Sequence, residues 1–174
     1  MKVLHIGQMI GGLDVYIRNS IVYASGSIDY VIMRGAEDGN KPVFCQGKEV
    51  KEYKTSLQRA LSPWKDLKTL VEAVRIIRKE RPDVVHCHSA KGGIIGRMAG
   101  WLTGTKTLYT PHGYSFLCSP SQKVQWVYKT IERVTRCDAW MLACGESEQE
   151  LGKKEIGYSD RKALCWHNCV AVRE

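Results

Sequence analysis

DVVHCHSAKGGIIGRMAGWLTGTKTLYTPHGYSF, residues 83–116, decides the fold. It divides into a short apolar run ending in His86 and His88, a glycine-studded segment opened by Ser89, a second apolar run, and the bend Thr110-Pro111-His112-Gly113. That is strand, helix, strand, and such a crossover joins parallel strands. A parallel sheet offers its ligands the carboxyl ends of its strands, so His86, His88, Ser89, Lys91 and His112 are expected along one rim. Gly92, Gly96 and Gly100 recur every four residues and share one helix face. Each costs the helix about 1 kcal/mol relative to alanine. Two reasons are open: close packing of helix on sheet, or a ligand approaching Gly92 and Gly93 at the amino end.

Outward from this stretch, the chain keeps alternating. Lys2–Ile6 reads as a strand, followed by the turn Gly7-Gln8-Met9-Ile10-Gly11-Gly12 and a helical pattern with Val15, Ile17, Ile21 and Val22 that ends near Gly26. A glycine turn before a helix lets an anion meet free backbone N–H groups at the positive end of the dipole; a tight turn without a ligand fits the same residues. Ile28–Met33 is a second strand, Arg34–Lys41 a loop, and Pro42–Cys45 with Val50–Tyr53 an irregular third strand. Ser62-Pro63 starts a helix with Leu67, Leu70, Val71, Val74 and Ile77 on its apolar face, and Arg81-Pro82 stops it.

Beyond Phe116, Ser119-Pro120 begins a helix with Val124, Val127, Tyr128, Ile131 and Val134 inward and Lys129, Arg133 and Arg136 on an outer basic face, either simply solvated or set against anionic lipid headgroups. Asp138–Cys144 is a strand. Glu146–Glu150 opens a helix whose acids in the first turn and lysines in the last match its dipole, with Gly157 ending it, and Lys162–His167 closes the series. The alternation predicts one α/β domain over 1–174: a Rossmann-like, doubly wound, mainly parallel sheet with helices on both faces. The first strand and Val84–His88 should be neighbours where the winding reverses, with the Gly11-Gly12 turn facing the His88–Lys91 turn.

Composition narrows the class. With 44% hydrophobic and 25% charged residues in 174, the chain can bury a real core. No signal peptide and no membrane span are read from it, which predicts a cytoplasmic location. Seven cysteines at irregular spacing read as reduced, small core residues. Cys165, His167 and Cys169 lie in line along one strand and do not make a zinc knuckle. A net charge of +8 and a pI near 9.2 call for an acidic partner: nucleic acid, phosphorylated metabolites or an anionic membrane.

The early Gly11-Gly12, then His86-Cys87-His88-Ser89-Ala90-Lys91-Gly92-Gly93, then Thr110-Pro111-His112-Gly113-Tyr114-Ser115-Phe116, then Glu146-Ser147-Glu148 and a strand ending at Asn168 resemble, in order and over nearly the whole chain, the amino-terminal half of retaining GT-B glycosyltransferases, glycosyltransferase family 4. The resemblance implies two Rossmann-like domains, of which this chain is the first, acceptor-side one. The donor-binding domain, with its pair of glutamates seven residues apart, is not in 1–174. The chain is then a truncated piece or one half of a split enzyme, inactive in isolation. Carried over, Gly11 and Gly12 approach the donor diphosphate and His112 reaches the transferred sugar. Lys91, His88, Ser89 and Gly113 are the candidates for acceptor or phosphate contacts, and Glu148 is a polar position near the interdomain cleft unless it merely caps its helix.

The resemblance implies a nucleotide sugar as donor substrate, a sugar or lipid-linked acceptor, no metal and no further cofactor. It also implies no nucleic acid, the chain's own carboxy-terminal domain or a separate chain as partner, and an anionic membrane at the inner face as a candidate contact. The last strand departs from the usual proline-asparagine-glycine exit, since His167 precedes Asn168 and Cys169 follows it. Two rivals remain: a non-catalytic subunit recruiting a donor-binding chain to a membrane, and a nucleotide-binding Rossmann domain. The latter lacks the acid expected at the end of the second strand, which ends in Met33-Arg34.

Overall fold

The structure, a computed structural model, describes residues 1–24, 26–60 and 62–168. Its centre is a seven-stranded sheet in the order β5-β2-β1-β6-β7-β8-β9, built from β1 (Lys2–Ile6), β2 (Asp29–Gly35), β5 (Lys51–Thr55), β6 (Val84–His88), β7 (Lys106–Thr110), β8 (Trp140–Ala143) and β9 (Ala163–Cys165). Every pairing in it is parallel. The irregular third strand resolves into a short antiparallel hairpin, β3 (Phe44–Cys45) with β4 (Lys48–Glu49), followed by β5. β1 and β6 are direct neighbours, as the winding rule requires, and His5 lies opposite His86 in their register.

Alternation along the strands sorts side chains between two layers. Leu4, Ile6, Val85, Cys87, Tyr109, Met141 and Ala143 join the core under α2 (Pro63–Glu80), α3 (Ser89–Thr103), α4 (Gln122–Val134) and the turns after α5 (Glu146–Leu151). Val3, Tyr30 and Ile32 face α1 (Gly12–Tyr23) and the hairpin on the other side. His5, His86 and His88 project to this second side. Farther along it, Leu108 lies opposite Trp140 and Leu142 opposite Leu164, and these are only half covered, Leu164 being 42% exposed.

The glycine stripe of α3 is explained by packing. A Cβ on Gly96 would lie 2.3 Å from Cβ of Cys87, one on Gly92 would lie 3.0 Å from the carbonyl oxygen of Ile6, and one on Gly100 would lie 2.0 Å from Oγ1 of Thr107. Helix and sheet lie closer than any side chain permits.

Two helices bury only part of the apolar faces read from sequence: Leu70, Val74 and Ile77 of α2 and Tyr128 of α4 pack on the core as expected. In α2 the buried stripe is Thr69, Ala73, Ile76, Ile77 and Glu80, while Leu67 and Val71 are exposed. Glu80 explains the rotation, since its carboxylate accepts hydrogen bonds from Lys2, Lys51 and Tyr53 and must face the strand ends. In α4 the valines Val124, Val127 and Val134 face outward and Glu132 is the buried residue. There Arg97 of α3, fully buried, gives Nη2 to Glu132 at 2.8 Å and lies 4.1 Å over the Tyr109 ring. On the basic face of α4, Lys129 pairs with Glu155, Arg133 donates to the Glu155 carbonyl, and Arg136 donates to the carbonyls of Ile156 and Gly157.

The cysteines are less uniformly core than read from composition. Cys87 is buried, Cys118 is exposed, and Cys45, Cys137, Cys144 and Cys165 are half-buried, all with free thiols. Cys169 lies outside the described residues.

Candidate functional site

Three bends meet at the carboxyl edge of β1, β6 and β7. The first is the glycine turn between β1 and α1. Gly11 has φ +59°, a conformation that glycine alone adopts without strain, and it precedes a first turn of α1 that no side chain caps. Gly12 is different: its φ is ordinary and a Cβ there would meet nothing within 4 Å. The fold does not require Gly12 to be glycine. The loop is held from behind by Asp38, whose Oδ2 accepts the N–H of Met9 at 2.9 Å and of Gly35 at 2.7 Å. Burial pushes the Asp38 carboxyl up, and the two backbone donors oppose the shift.

The second bend follows β6. Ser89 takes φ +59° and the third bend puts His112 at φ +55° and Gly113 at +89°. Serine and histidine in the left-handed region each store roughly 1–3 kcal/mol, and backbone strain of this kind collects at functional sites. Glu148 braces the third bend, accepting the N–H of Gly113 at 2.6 Å on one oxygen and that of Cys144 at 2.8 Å on the other. It therefore ties β7 to the start of α5 and does more than cap its own helix.

Side chains join the three. Tyr16, one turn into α1, sets its ring edge-on to His112 with centroids 4.5 Å apart. His112 Nε2 lies 3.1 Å from His88 Nδ1, and His88 Nε2 lies 2.9 Å from His5 Nδ1. His112 Nδ1 is 3.6 Å from Cys144 Sγ. Burial holds His5 and His112 down at about 4 and pushes the Cys144 thiol up to about 11; His86 and His88 are lowered further, first by burial and then by their histidine neighbours. All four imidazoles are neutral at neutral pH. His5, His86 and His88 bring ring nitrogens within 4.8 Å of one another, close enough to suggest a cation site. However, His5 and His88 spend those nitrogens on each other and His86 gives Nε2 to Thr110 Oγ1 at 2.8 Å.

The bends predicted from sequence thus come together, with corrections to individual residues. His88 is completely buried with both nitrogens engaged, so it does not touch an acceptor and acts on the rim only through His112. Lys91 is not a free cation, because its ammonium holds Asp66 of α2 at 2.6 Å. Gly113 is exposed, but Glu148 takes its N–H. His5, Tyr16, Asp38 and Cys144 were not among the residues singled out from sequence. Of these only His5 carried a signal, a polar residue alternating with apolar ones in a strand next to the His86/His88 strand.

The sequence model of the family described as glycosyl transferase 4-like domain matches residues 23–150. The chain belongs to that family. Among relatives, a UDP-Gal:α-D-GlcNAc-diphosphoundecaprenol α-1,3-galactosyltransferase of Escherichia coli is 34% identical over 103 residues, 58% of this chain and 27% of that protein. An uncharacterised 41.2 kDa protein from the cps region of Klebsiella pneumoniae is 27% identical over 99% of this chain and 48% of its own length. Among solved structures, the apo lipopolysaccharide outer core galactosyltransferase WaaB superposes with a TM-score of 0.69 at 20% identity, covering 99% of this chain and 47% of that one. The chain spans about a quarter of the first of these proteins and about half the length of the other two. Its fold is that of one half of a GT-B enzyme. Among the described residues no helix is long and apolar enough to cross a membrane.

Proposed function

We propose that the domain is the acceptor-side half of a retaining hexosyltransferase that moves a hexosyl unit from a nucleotide sugar to a sugar or lipid-linked acceptor in cell-surface polysaccharide or glycolipid synthesis. One observation carries the reading: the uncapped amino end of α1, fronted by a glycine the fold does not need, is packed through Tyr16 against half-buried His112. A diphosphate at that helix end meets unsatisfied N–H groups and the positive end of the dipole. The helix end contributes about half a positive charge toward that diphosphate, and no metal is assigned.

In the reaction the bond from C1 of the sugar to the diphosphate oxygen breaks and its electrons leave with the diphosphate. The acceptor oxygen bonds to C1 on the same face, as the family resemblance implies, and its proton passes to the departing phosphate. Positive charge develops on the sugar, and His112, uncharged because it is buried, can hydrogen-bond to it without repelling it. Ser89, just past the carboxyl end of β6, is the candidate contact for the acceptor, and Lys91 joins it only by leaving Asp66. The name of the Escherichia coli relative supports a lipid-diphosphate acceptor, which would bring the protein to the inner face of the cytoplasmic membrane. The half-covered strip of Leu108, Trp140, Leu142 and Leu164 supports association with a further protein element, either the chain's own donor-binding half or a separate subunit.

The test supplies that half, in one chain or as a partner, and measures transfer from UDP-hexoses to a GlcNAc-diphospholipid. His112→Ala should lower turnover by about 10²-fold while the fold persists, the scale of losing one transition-state hydrogen bond. Unchanged turnover would remove His112 from the reaction.

A further inference from the structure

His5, His88 and His112 are joined nitrogen to nitrogen, from the middle of β1 to the rim, and the run ends on Cys144. A neutral imidazole carries one N–H and one bare nitrogen, so a ring bonded on both sides must donate on one side and accept on the other. Burial keeps every ring in the run uncharged and keeps Cys144 a thiol. The direction of one bond then dictates the direction of all. If His5 donates from Nδ1, His88 accepts at Nε2 and donates from Nδ1, and His112 accepts at Nε2 and carries its proton on Nδ1. If the direction is reversed, all three carry the proton on Nε2.

We propose that His5 is a positioning residue: through His88 it fixes which ring nitrogen of His112 bears the proton, and so whether His112 offers a donor or an acceptor at Nδ1. That nitrogen now faces Cys144 Sγ at 3.6 Å, a contact made weak by the thiol's poor hydrogen bonding and one that a sugar hydroxyl could displace. His5 itself is 2% exposed and stands two bonded rings away from the rim, so it cannot touch substrate. Its place on β1 follows from register, because His5 pairs with His86 and leans on His88 with the two rings stacked 13° from parallel. The inference deepens the reading of His112 given above. Its test uses no substrate, so the relay and the transfer reaction can fail separately.

Long-range nitrogen–proton correlation spectra of the chain at pH 7 assign each imidazole tautomer. The expected result is one tautomer for His5, His88 and His112, the same nitrogen protonated in all three, with His86 free to differ because it bonds Thr110. Mixed tautomers among the three would overturn the relay even if no variant folded. H5L should lose the single tautomer of His112 and leave that of His86 unchanged, and H5N, which keeps a hydrogen-bonding group near the Nδ1 position, should restore it. A His112 spectrum indifferent to H5L would refute the assignment. So would one equivalent of tightly held zinc by elemental analysis, since His5 and His88 would then both be ligands with no proton between them.

Discussion

Gly96→Ala tests how closely α3 lies on the sheet. The new methyl would sit 2.3 Å from Cβ of Cys87 and 3.0 Å from its sulfur. Carbon atoms in contact need about 3.5 Å, so a gap more than 1 Å wider must open. Cys87 cannot turn away, because its Cβ is fixed to the backbone of a central strand and the residue is fully buried. Nor can α3 slide, since Gly92 and Gly100 hold it to Ile6 and Thr107 at similar range. Overpacking of this kind costs about 1–3 kcal/mol, and the better helix propensity of alanine returns up to about 1. The expected net loss is about 1–2 kcal/mol. The companion variant Gly12→Ala meets no atom within 4 Å and should gain a few tenths to about 1 kcal/mol by propensity alone. Urea denaturation of the two variants measures both signs. A Gly96→Ala protein as stable as the parent would show that α3 does not lie on β6 as described. A Gly12→Ala protein that loses stability would remove the case for a ligand at that glycine.

Acid should unfold the domain early. His5 and His112 drop from 6.5 to about 4 on folding, so below pH 6.5 the unfolded chain takes up protons the folded chain refuses; their stabilisation is complete above that pH and is lost as pH falls toward 4. Each contributes about 3 kcal/mol across the window, and the lower values of His86 and His88 add to the same slope. Against a total of about 5–15 kcal/mol, urea midpoints should collapse between pH 6.5 and 4, and a flat profile would mean that the imidazoles are solvated. Glu132→Gln should cost about 3 kcal/mol by leaving the Arg97 charge buried without its counterion, while the double change Arg97→Met with Glu132→Leu should recover most of the loss. Thermal melts of the three proteins decide between a pair that matters only when broken and one that contributes outright.

The alternation of strands and helices was legible because it rests on short-range chemistry: apolar runs, glycine turns and proline stops. The adjacency of β1 and β6 followed from the winding rule, and close packing was one of the two reasons the α3 glycines left open. Helix orientation was less legible. In α2 and α4 the apolar stripe was real, but a buried carboxylate decided which side turned inward. Glu80 collects Lys2, Lys51 and Tyr53, and Glu132 answers Arg97. Hydrophobic periodicity counts Glu and Arg as outward-facing, so two residues that satisfy each other across sequence are invisible to it.

The site divides in the same way. The bends at Gly11-Gly12, Ser89 and His112-Gly113 could be read locally, because each lies at a strand end. What the bends do to one another could not, because it depends on pairs such as His5 with His88, Glu148 with Gly113, and Asp38 with Met9, separated by 83, 35 and 29 residues. His88 shows the consequence. By sequence it belongs to the rim, one residue before Ser89, but strand alternation turns it inward onto His5 while the next residue adopts a left-handed backbone and leaves the strand. The exposed rim therefore offers few free polar groups: Lys91, Gly113 and Glu148 already have partners. On the reading proposed above, the groups left for a diphosphate and a sugar are the amide end of α1, Ser89 just past the end of β6 and the Nδ1 edge of His112, and partners such as Asp38, His88 and Glu148 hold these bends in place.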